Sequence, residues 1–382
     1  MIFQALGSSN NFRQSIALLF STGTTYDSRR LKELLQHRYG GNAYLYAKGR
    51  FALAAAIKTT RSKAVAINGF TCSVVVDAVR HSGATPVYID VAEGGYHYSA
   101  EILEKALKKN TDIAAVVVQN TFGIACDIRA IEKITKKYGC VLIEDLAHSI
   151  GQTYADGREM GTVGDLVMVS FGRDKLIDIG NGGALIVRNP AINQLTTPTQ
   201  HIRLIDTLRD RWYPLLTWVV RMTYPILIGK ILLALMYRTG LMTRASDGSI
   251  NTNLRLSHWK AKQILRKVRM LDQNLSSRRH IVQQYNTALR GRVLPDTTIR
   301  AVLEVDNPNG LRKKLRSHGL MFDDTWYDTP IGPARKYGAL HYPEKDCPNA
   351  LRAARTIVNL PTHQYVTPVV IRLITQAIED YV

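Results

Sequence analysis

Three segments decide the fold: Val141-Leu-Ile-Glu-Asp-Leu-Ala-His148, Leu166-Val-Met-Val-Ser-Phe-Gly-Arg-Asp-Lys175 and Gly180-Asn-Gly-Gly183. Each of the first two opens on a short run of branched apolar residues and closes on polar ones, the pattern of a strand buried on both faces that presents its side chains at the carboxyl end. Asp145 closes the first run and Ser170 the second, with Lys175 five residues further on and a glycine-rich turn beyond it.

Working outward, residues 64–68, 86–90 and 113–118 read as further buried strands, and residues 72–81, 100–109 and 128–138 as helices between them. The last helix has Asp127 as its N-cap and Gly139 just past its end. Strand, helix, strand at this spacing predicts an α/β fold with a mostly parallel central sheet covered by helices on both faces, which binds ligands at the carboxyl ends of its strands. The alternation stops near Asn189-Pro190, and residues 193–200 read as a polar connector. Residues 254–289 form a basic helical pattern, followed by a strand at 301–305 and helices at 310–318 and 367–381, which together predict a smaller C-terminal α+β part. The expected division is a large cofactor-binding domain over 1–190, an apolar basic helical insert over 191–250, and a dimer-contacting helix with a small C-terminal domain over 251–382.

With 382 residues, 46% of them hydrophobic and 21% charged, the chain is long enough for two domains and too apolar for disorder. Its four cysteines, Cys72, Cys126, Cys140 and Cys347, form no C-x-x-C pair and suggest no disulfide framework, so a reducing compartment fits. The first residues lack a basic start and a long apolar run, so no export signal is expected. No His, Cys or Asp cluster has metal-ligand spacing. The net charge of +19 is uneven: residues 201–290 hold sixteen Lys/Arg against four acids. No recognised nucleic-acid module accompanies that charge, so nucleic acid is not the expected partner.

An acid, a lysine and a hydroxyl gathered at strand ends is the set that pyridoxal phosphate requires. The lysine amine joins the cofactor aldehyde, a buried acid keeps the ring nitrogen protonated, and hydroxyls and helix N-termini hold the phosphate. Six ordered motifs extend the pattern: Lys48-Gly-Arg-Phe-Ala-Leu53, Phe70-Thr-Cys72, Gly83-Ala-Thr-Pro-Val-Tyr-Ile-Asp-Val91, Ile143-Glu-Asp-Leu-Ala-His148, Ser170-Phe-Gly-Arg-Asp-Lys175 and Gly180-Asn-Gly-Gly183. With Asn253-Leu-Arg255 and Ile357-Val-Asn-Leu-Pro-Thr-His363, they resemble the DegT/StrS-type sugar aminotransferases within the fold-type-I pyridoxal-phosphate enzymes. The resemblance runs from about residue 42 to the end, except for about 195–248.

The resemblance implies a catalytic pair, Lys175 as the Schiff-base lysine and proton shuttle and Asp145 as the partner of the ring nitrogen. It places His148 near the cofactor's phenolic oxygen and Ser170 on the phosphate, with the backbone N–H groups of Gly49 and Arg50. Asn253 matches an asparagine that reaches the phosphate from a neighbouring subunit, which implies a homodimer with shared active sites. Cys72 takes the ring-facing position where an aromatic residue is common, leaving open what covers the ring. Asn181 and Asn120 replace a common Glu and His, so altered substrate contacts are expected. The implied activity is transfer of an amino group, from glutamate, to a keto-sugar on a nucleotide or lipid carrier, in cell-surface polysaccharide or glycan synthesis. Two rivals are a sugar dehydratase of the same fold, whose known members replace the lysine, and a non-catalytic membrane-associated scaffold.

Residues 212–242 are the most apolar part of the chain, yet their longest uncharged run, residues 212–220, is nine residues and too short to span a bilayer. Pro225 is expected to divide them into two short helices, with Lys230 and Arg238 near one side of the second. Cations on a greasy helix interspersed with Trp and Tyr suit contact with an anionic membrane surface. Burial against a dimer partner, or a cap over the active site, is the alternative. A cytoplasmic protein, peripheral on the inner face of the membrane, is the expectation.

Overall fold

The computed structural model describes residues 2–4, 6, 10–192, 195–322 and 326–381, so Asn193 and Gln194 of the expected connector lie outside it. In chain order its first part comprises β1 (Ile2–Phe3), α1 (Phe12–Leu19), α2 (Thr25–Tyr39), β2 (Asn42–Tyr46), α3 (Gly49–Thr60), β3 (Ala64–Asn68), β4 (Thr71–Cys72) and α4 (Ser73–His81). It continues through β5 (Thr85–Ile89), α5 (Ala100–Lys109), β6 (Ile113–Gln119), α6 (Ile128–Lys137), β7 (Val141–Asp145), β8 (Leu166–Ser170) and β9 (Gly183–Val187). Seven of these strands form one sheet in the order β2-β9-β8-β7-β6-β3-β5. The inner strands run parallel, and β9 is antiparallel to both β8 and β2.

Burial on both faces follows from the period-2 alternation of the strands. In β6, Val116 and Val118 face one core with α2, α5 and α6, while Ala115 and Val117 face the other with α3 and α4. The predicted cap of α6 forms, with Asp127 accepting from the Ala130 N–H at 3.1 Å, and Gly139 leaves the helix at φ 65°. Sequence reading missed α1 and α2, which precede the alternating pattern. It also missed β2 and β9, whose apolar character is read only once their antiparallel pairing is known.

The basic pattern over 254–289 is not one helix but α9 (His258–Val268) and α10 (Leu271–Ala288), broken at Met270. Residues 256–275, grouped with the C-terminal part in the sequence reading, bury Leu256, Ile264, Leu271 and Leu275 in the core that faces α2. The C-terminal part has its own core, in which the antiparallel strands Ala301–Glu304 and Ile357–Leu360 pack beside helices Pro308–Ser317 and Pro368–Glu379.

Between these parts lie α7 (Leu204–Thr223) and α8 (Ile228–Arg238), separated by a single 3-10 turn over Tyr224–Ile226 that contains Pro225. The break at Pro225 is as expected, but α7 is twenty residues long, not a short helix starting at Trp212, and it accommodates Pro214. A small core of Tyr213, Val220, Met236 and Met242 holds the two helices together. Among the described residues, no helix is long and apolar enough to cross a membrane.

Candidate active site

Asp145 sits at the last position of β7, opposite Gln119 of β6 and Met168 of β8, and is almost wholly buried. The strand's alternation sends Glu144 the other way, where it accepts from the N–H groups of Gly161, Val163 and Gly164 and from the Tyr154 hydroxyl, an anchor for the loop between β7 and β8. Asp145 has fewer partners: its Oδ1 accepts from the Ala147 N–H at 2.8 Å. Burial pushes its pKa up to about 6, opposed by the Ala147 N–H and the charge of Lys175.

Lys175 follows a sharp turn after β8, with Asp174 in the left-handed region at φ 61°. Asp178 steadies this turn by accepting from the N–H groups of Asp174 and Gly180 at 2.9 and 2.8 Å. The Lys175 amine is buried, which lowers its pKa, and the nearby Arg300 charge lowers it further against the pull of Cys72 and Asp145. A lysine whose pKa is lowered by burial gives up its proton more readily than a solvated one, which suits a nucleophile and a base.

His148, from the turn after β7, accepts the Phe122 N–H on Nδ1 at 3.1 Å. Burial and the charges of Lys175 and Arg300 hold it neutral, so its proton sits on Nε2, which is free to donate. Ser170 ends β8 facing the N-terminus of α3. A Cβ at Gly49 would lie 2.8 Å from Ser170 Oγ and 2.9 Å from its Cβ, and a Cβ at Gly183 would lie 2.5 Å from Gly49 Cα. Only glycines let β8, β9 and this helix start come so close, and the result is a small cradle of backbone N–H groups and one hydroxyl, suited to an anion.

The Arg50 side chain does not enter that cradle. Its guanidinium donates to the carbonyls of Ala245, Ser246, Asp247 and Gly248, fastening the chain that leaves α8 to the start of α3. Cys72 is the N-cap of α4, half-buried, with its thiol pKa raised by burial. Next to it, Ser73 Oγ is buried with no hydrogen-bond partner among the described residues. Asn253 does not converge with the others: it is exposed, and its Oδ1 accepts from the Thr199 N–H and hydroxyl at 2.9 and 3.1 Å.

The bonding of Asn120 and Asn181, for which altered substrate contacts are expected, is structural. Asn120 is fully buried, donating to the Tyr154 hydroxyl and accepting from the Cys126 N–H, so it secures the loop after β6. Asn181 donates to Asp210 Oδ1 at 2.8 Å; the other Asp210 oxygen takes the buried Lys260 ammonium, tying the glycine loop to α7 and α9.

Sequence reading missed the residue that roofs the site. The Trp326 ring lies parallel to His148, 10° between planes and 4.8 Å between centroids, and Lys175 Nζ sits 4.4 Å from the Trp326 centroid. Buried Arg300 lies 4.0 Å from the same ring, and the neighbouring Tyr327 accepts from Gln119 Nε2 at 3.2 Å. No local signal marks Trp326, which comes about 150 residues after Lys175 in a part of the chain with no strand-end motif.

The sequence profile of the DegT/DnrJ/EryC1/StrS aminotransferase family matches residues 50–379. A UDP-2-acetamido-2-deoxy-3-oxo-D-glucuronate aminotransferase of Pseudomonas aeruginosa is 24% identical over 82% of this chain and 77% of its own length. A GDP-perosamine synthase of Vibrio cholerae is 29% identical over 44% of this chain and 45% of its own. A protein of Methanocaldococcus jannaschii is 30% identical over 37% of this chain, and this chain spans 36% of that relative. Among solved structures, a DegT DnrJ EryC1 StrS aminotransferase from Brucella abortus superposes with a TM-score of 0.70 at 22% identity, covering 97% of this chain and 94% of that one. A Streptococcus pneumoniae protein described as a sugar aminotransferase, solved in a PLP form, superposes with a TM-score of 0.74 at 15% identity over 100% of this chain and 99% of that one.

Proposed function

This chain belongs to the DegT/DnrJ/EryC1/StrS aminotransferase family, and from that premise we propose that it is a pyridoxal-phosphate-dependent aminotransferase acting on a keto-sugar in cell-surface polysaccharide or glycan synthesis. The observation that carries the reading is the pairing of Asp145, buried at the carboxyl end of β7, with half-buried Lys175 in the turn after the adjacent parallel strand β8, each shifting the other's charge. The donor set suits the cofactor: an acid for the ring nitrogen, a neutral histidine donor, a lysine, and an N–H and hydroxyl cradle for the phosphate.

Pyridoxal phosphate, when bound, supplies an aldehyde carbon that carries the amino group and a ring that accepts an electron pair. The protein does the rest. Asp145, buried and held by the Ala147 N–H, keeps a proton on the ring nitrogen. Lys175 would hold the cofactor through Nζ, and the same Nζ would take the proton from the donor's α-carbon and deliver it to the cofactor's aldehyde carbon, or carry it the opposite way to the sugar carbon. His148 donates from Nε2 beside the lysine. Gly49, Arg50 and Ser170 hold the phosphate through two backbone N–H groups and a hydroxyl, and Trp326 keeps water off the lysine.

The finer parts of the reading are glutamate as donor, a nucleotide or lipid carrier on the sugar, and a homodimer in which Asn253 completes the partner's phosphate site. Exposure of Asn253 in the single chain favours that last role. The same reading puts the protein in the cytoplasm, against the inner face of the membrane through residues 212–242, and divides the chain into parts at 1–190, 191–250 and 251–382, with residues 256–275 of the last packed on the core of the first. A dehydratase is disfavoured by Lys175, and a scaffold by the intact set around it.

The test is the absorbance spectrum of the purified chain with pyridoxal phosphate, before and after glutamate, beside Lys175→Ala. The expected result is a near-visible band that glutamate abolishes in the native chain, and no glutamate response in the variant. A native chain without the band overturns the enzyme reading; a band indifferent to glutamate overturns the donor.

A further inference from the structure

The insert leaves a large apolar surface uncovered, and its shape is set by helix geometry. At about 100° per residue, Leu204, Leu208, Trp212, Leu215, Val219 and Met222 of α7 fall within a sector of roughly 80°. Every one is exposed or half-exposed, Leu204 to 75%. On one flank of this stripe lies α1: Phe12 rests on Trp218 with ring centroids 4.6 Å apart, and Arg211 donates to the Leu19 carbonyl at 2.7 Å. On the other flank lies α8, where a Cβ on Gly229 would be 2.3 Å from the Val220 carbonyl oxygen. The stripe is therefore a ridge between two packed helices, facing away from the body of the protein.

The flanking helices extend the same surface. On α1 and its C-cap, Phe12, Ile16 and Phe20 recur at i, i+4 and i+8 and are exposed, Phe20 to 78%. On α8, Ile228, Ile231 and Leu235 are exposed, Ile231 to 69%, and Ile226 of the connecting turn to 65%. Soluble proteins seldom leave an apolar patch of this extent bare without a partner.

Charge decides between partners. The only acids between residues 201 and 246 are Asp206 and Asp210. Asp206 is paired with Arg203 and Arg209, and Asp210 with Lys260. Exposed cations surround the patch: Arg13 on α1, Lys230 and Arg238 on α8, and Arg244 after it. Two copies of this face brought together about a twofold axis would set these cations against one another. An anionic lipid surface satisfies both features at once, taking the apolar side chains at its boundary and the cations at its headgroups.

We infer that α1, α7 and α8 form a three-helix platform that docks this enzyme on an anionic bilayer, with the α7 ridge entering the headgroup boundary. This deepens the peripheral reading above and rests on it; what it adds is α1 and the start of α7, both outside residues 212–242. The platform needs no spanning helix, and none is present among the described residues.

The test is flotation of the full chain, loaded with pyridoxal phosphate, on vesicles of phosphatidylcholine alone or with phosphatidylglycerol. The native chain should float with the anionic vesicles, with at least about tenfold weaker binding to the neutral ones, and added salt should release it. Leu208→Glu and Phe20→Glu, each buried in the boundary if the platform docks, should lower the bound fraction about tenfold or more. Lys230→Glu with Arg238→Glu should lower it by roughly fivefold per cation. Leu373→Glu, an exposed leucine on the C-terminal helix, is the control and should change nothing. The cofactor band in each variant reports the fold independently of lipid. A native chain that floats while both Leu208→Glu and Phe20→Glu float equally well overturns the platform and leaves the peripheral reading standing. A native chain that stays at the bottom with both vesicles overturns the two together. Concentration-dependent association beyond a dimer in sedimentation, abolished by Leu208→Glu, assigns the face to a second copy and also overturns the inference.

Discussion

Asp145→Asn should make the cofactor-free protein more stable while making it a worse enzyme, and the size of the gain follows from burial. The Asp145 pKa rises from 3.8 to about 6 because the carboxylate has left water and regained only the Ala147 N–H and the Lys175 charge. The sign follows from proton counting: between these two values the folded chain holds a proton that the unfolded chain has released, so this group's contribution to stability falls as pH rises. About two pKa units at 1.36 kcal/mol each cost the native fold about 3 kcal/mol at pH 8. Asparagine has nearly the same shape, keeps an oxygen for the Ala147 N–H and carries no charge. Urea unfolding of the cofactor-free chains should therefore find the variant more stable by about 3 kcal/mol at pH 8, about half that at pH 5, and well under 1 kcal/mol at pH 4. With pyridoxal phosphate added, the native chain should gain more stability than the variant, and turnover of the variant should fall by about a hundredfold or more. A variant less stable than the native chain at pH 8, or a difference that does not change with pH, would refute the view that Asp145 is a desolvated carboxylate held for a cationic partner.

Gly49→Ala puts a methyl group 2.8 Å from Ser170 Oγ; unfolding should show a loss of about 1–3 kcal/mol, and equilibrium dialysis a cofactor affinity at least about tenfold weaker. Glu144→Gln replaces an acceptor of two hydrogen bonds with an N–H₂ group facing other donors; stability in urea should fall by about 3 kcal/mol or more, while the cofactor band of the surviving folded protein keeps its position. Trp326→Ala should reduce the quenching of tryptophan emission on cofactor binding and slow turnover, and Trp326→Phe should recover most of the rate, since the plane over Lys175 and His148 is retained.

The sequence by itself determined the parallel strands, the strand ends that carry Asp145 and Ser170, the Lys175 that follows them, the helix start at Gly49 and the glycine-rich turn at 180–183. These are local signals: a buried strand must be continuously apolar, and chemistry placed at its end interrupts that run within a few residues. The same locality separates Glu144 from Asp145, because adjacent strand residues face opposite sides of a sheet. Only the tertiary structure decided what lies over Lys175 and which faces of the insert stay exposed. Trp326 and Arg300 reach Lys175 through the packing of the C-terminal part on the sheet, and no short-range pattern in the sequence encodes a contact between segments so far apart. Asn120 and Asn181 are visible in a linear reading only as departures from a common His and Glu; their partners, Tyr154, Cys126 and Asp210, are supplied by the fold. The docking platform divides in the same way. Greasy helices with few acids are visible in the composition of residues 212–242, but the outward ridge of α7 between α1 and α8 exists only once packing has chosen which faces to bury.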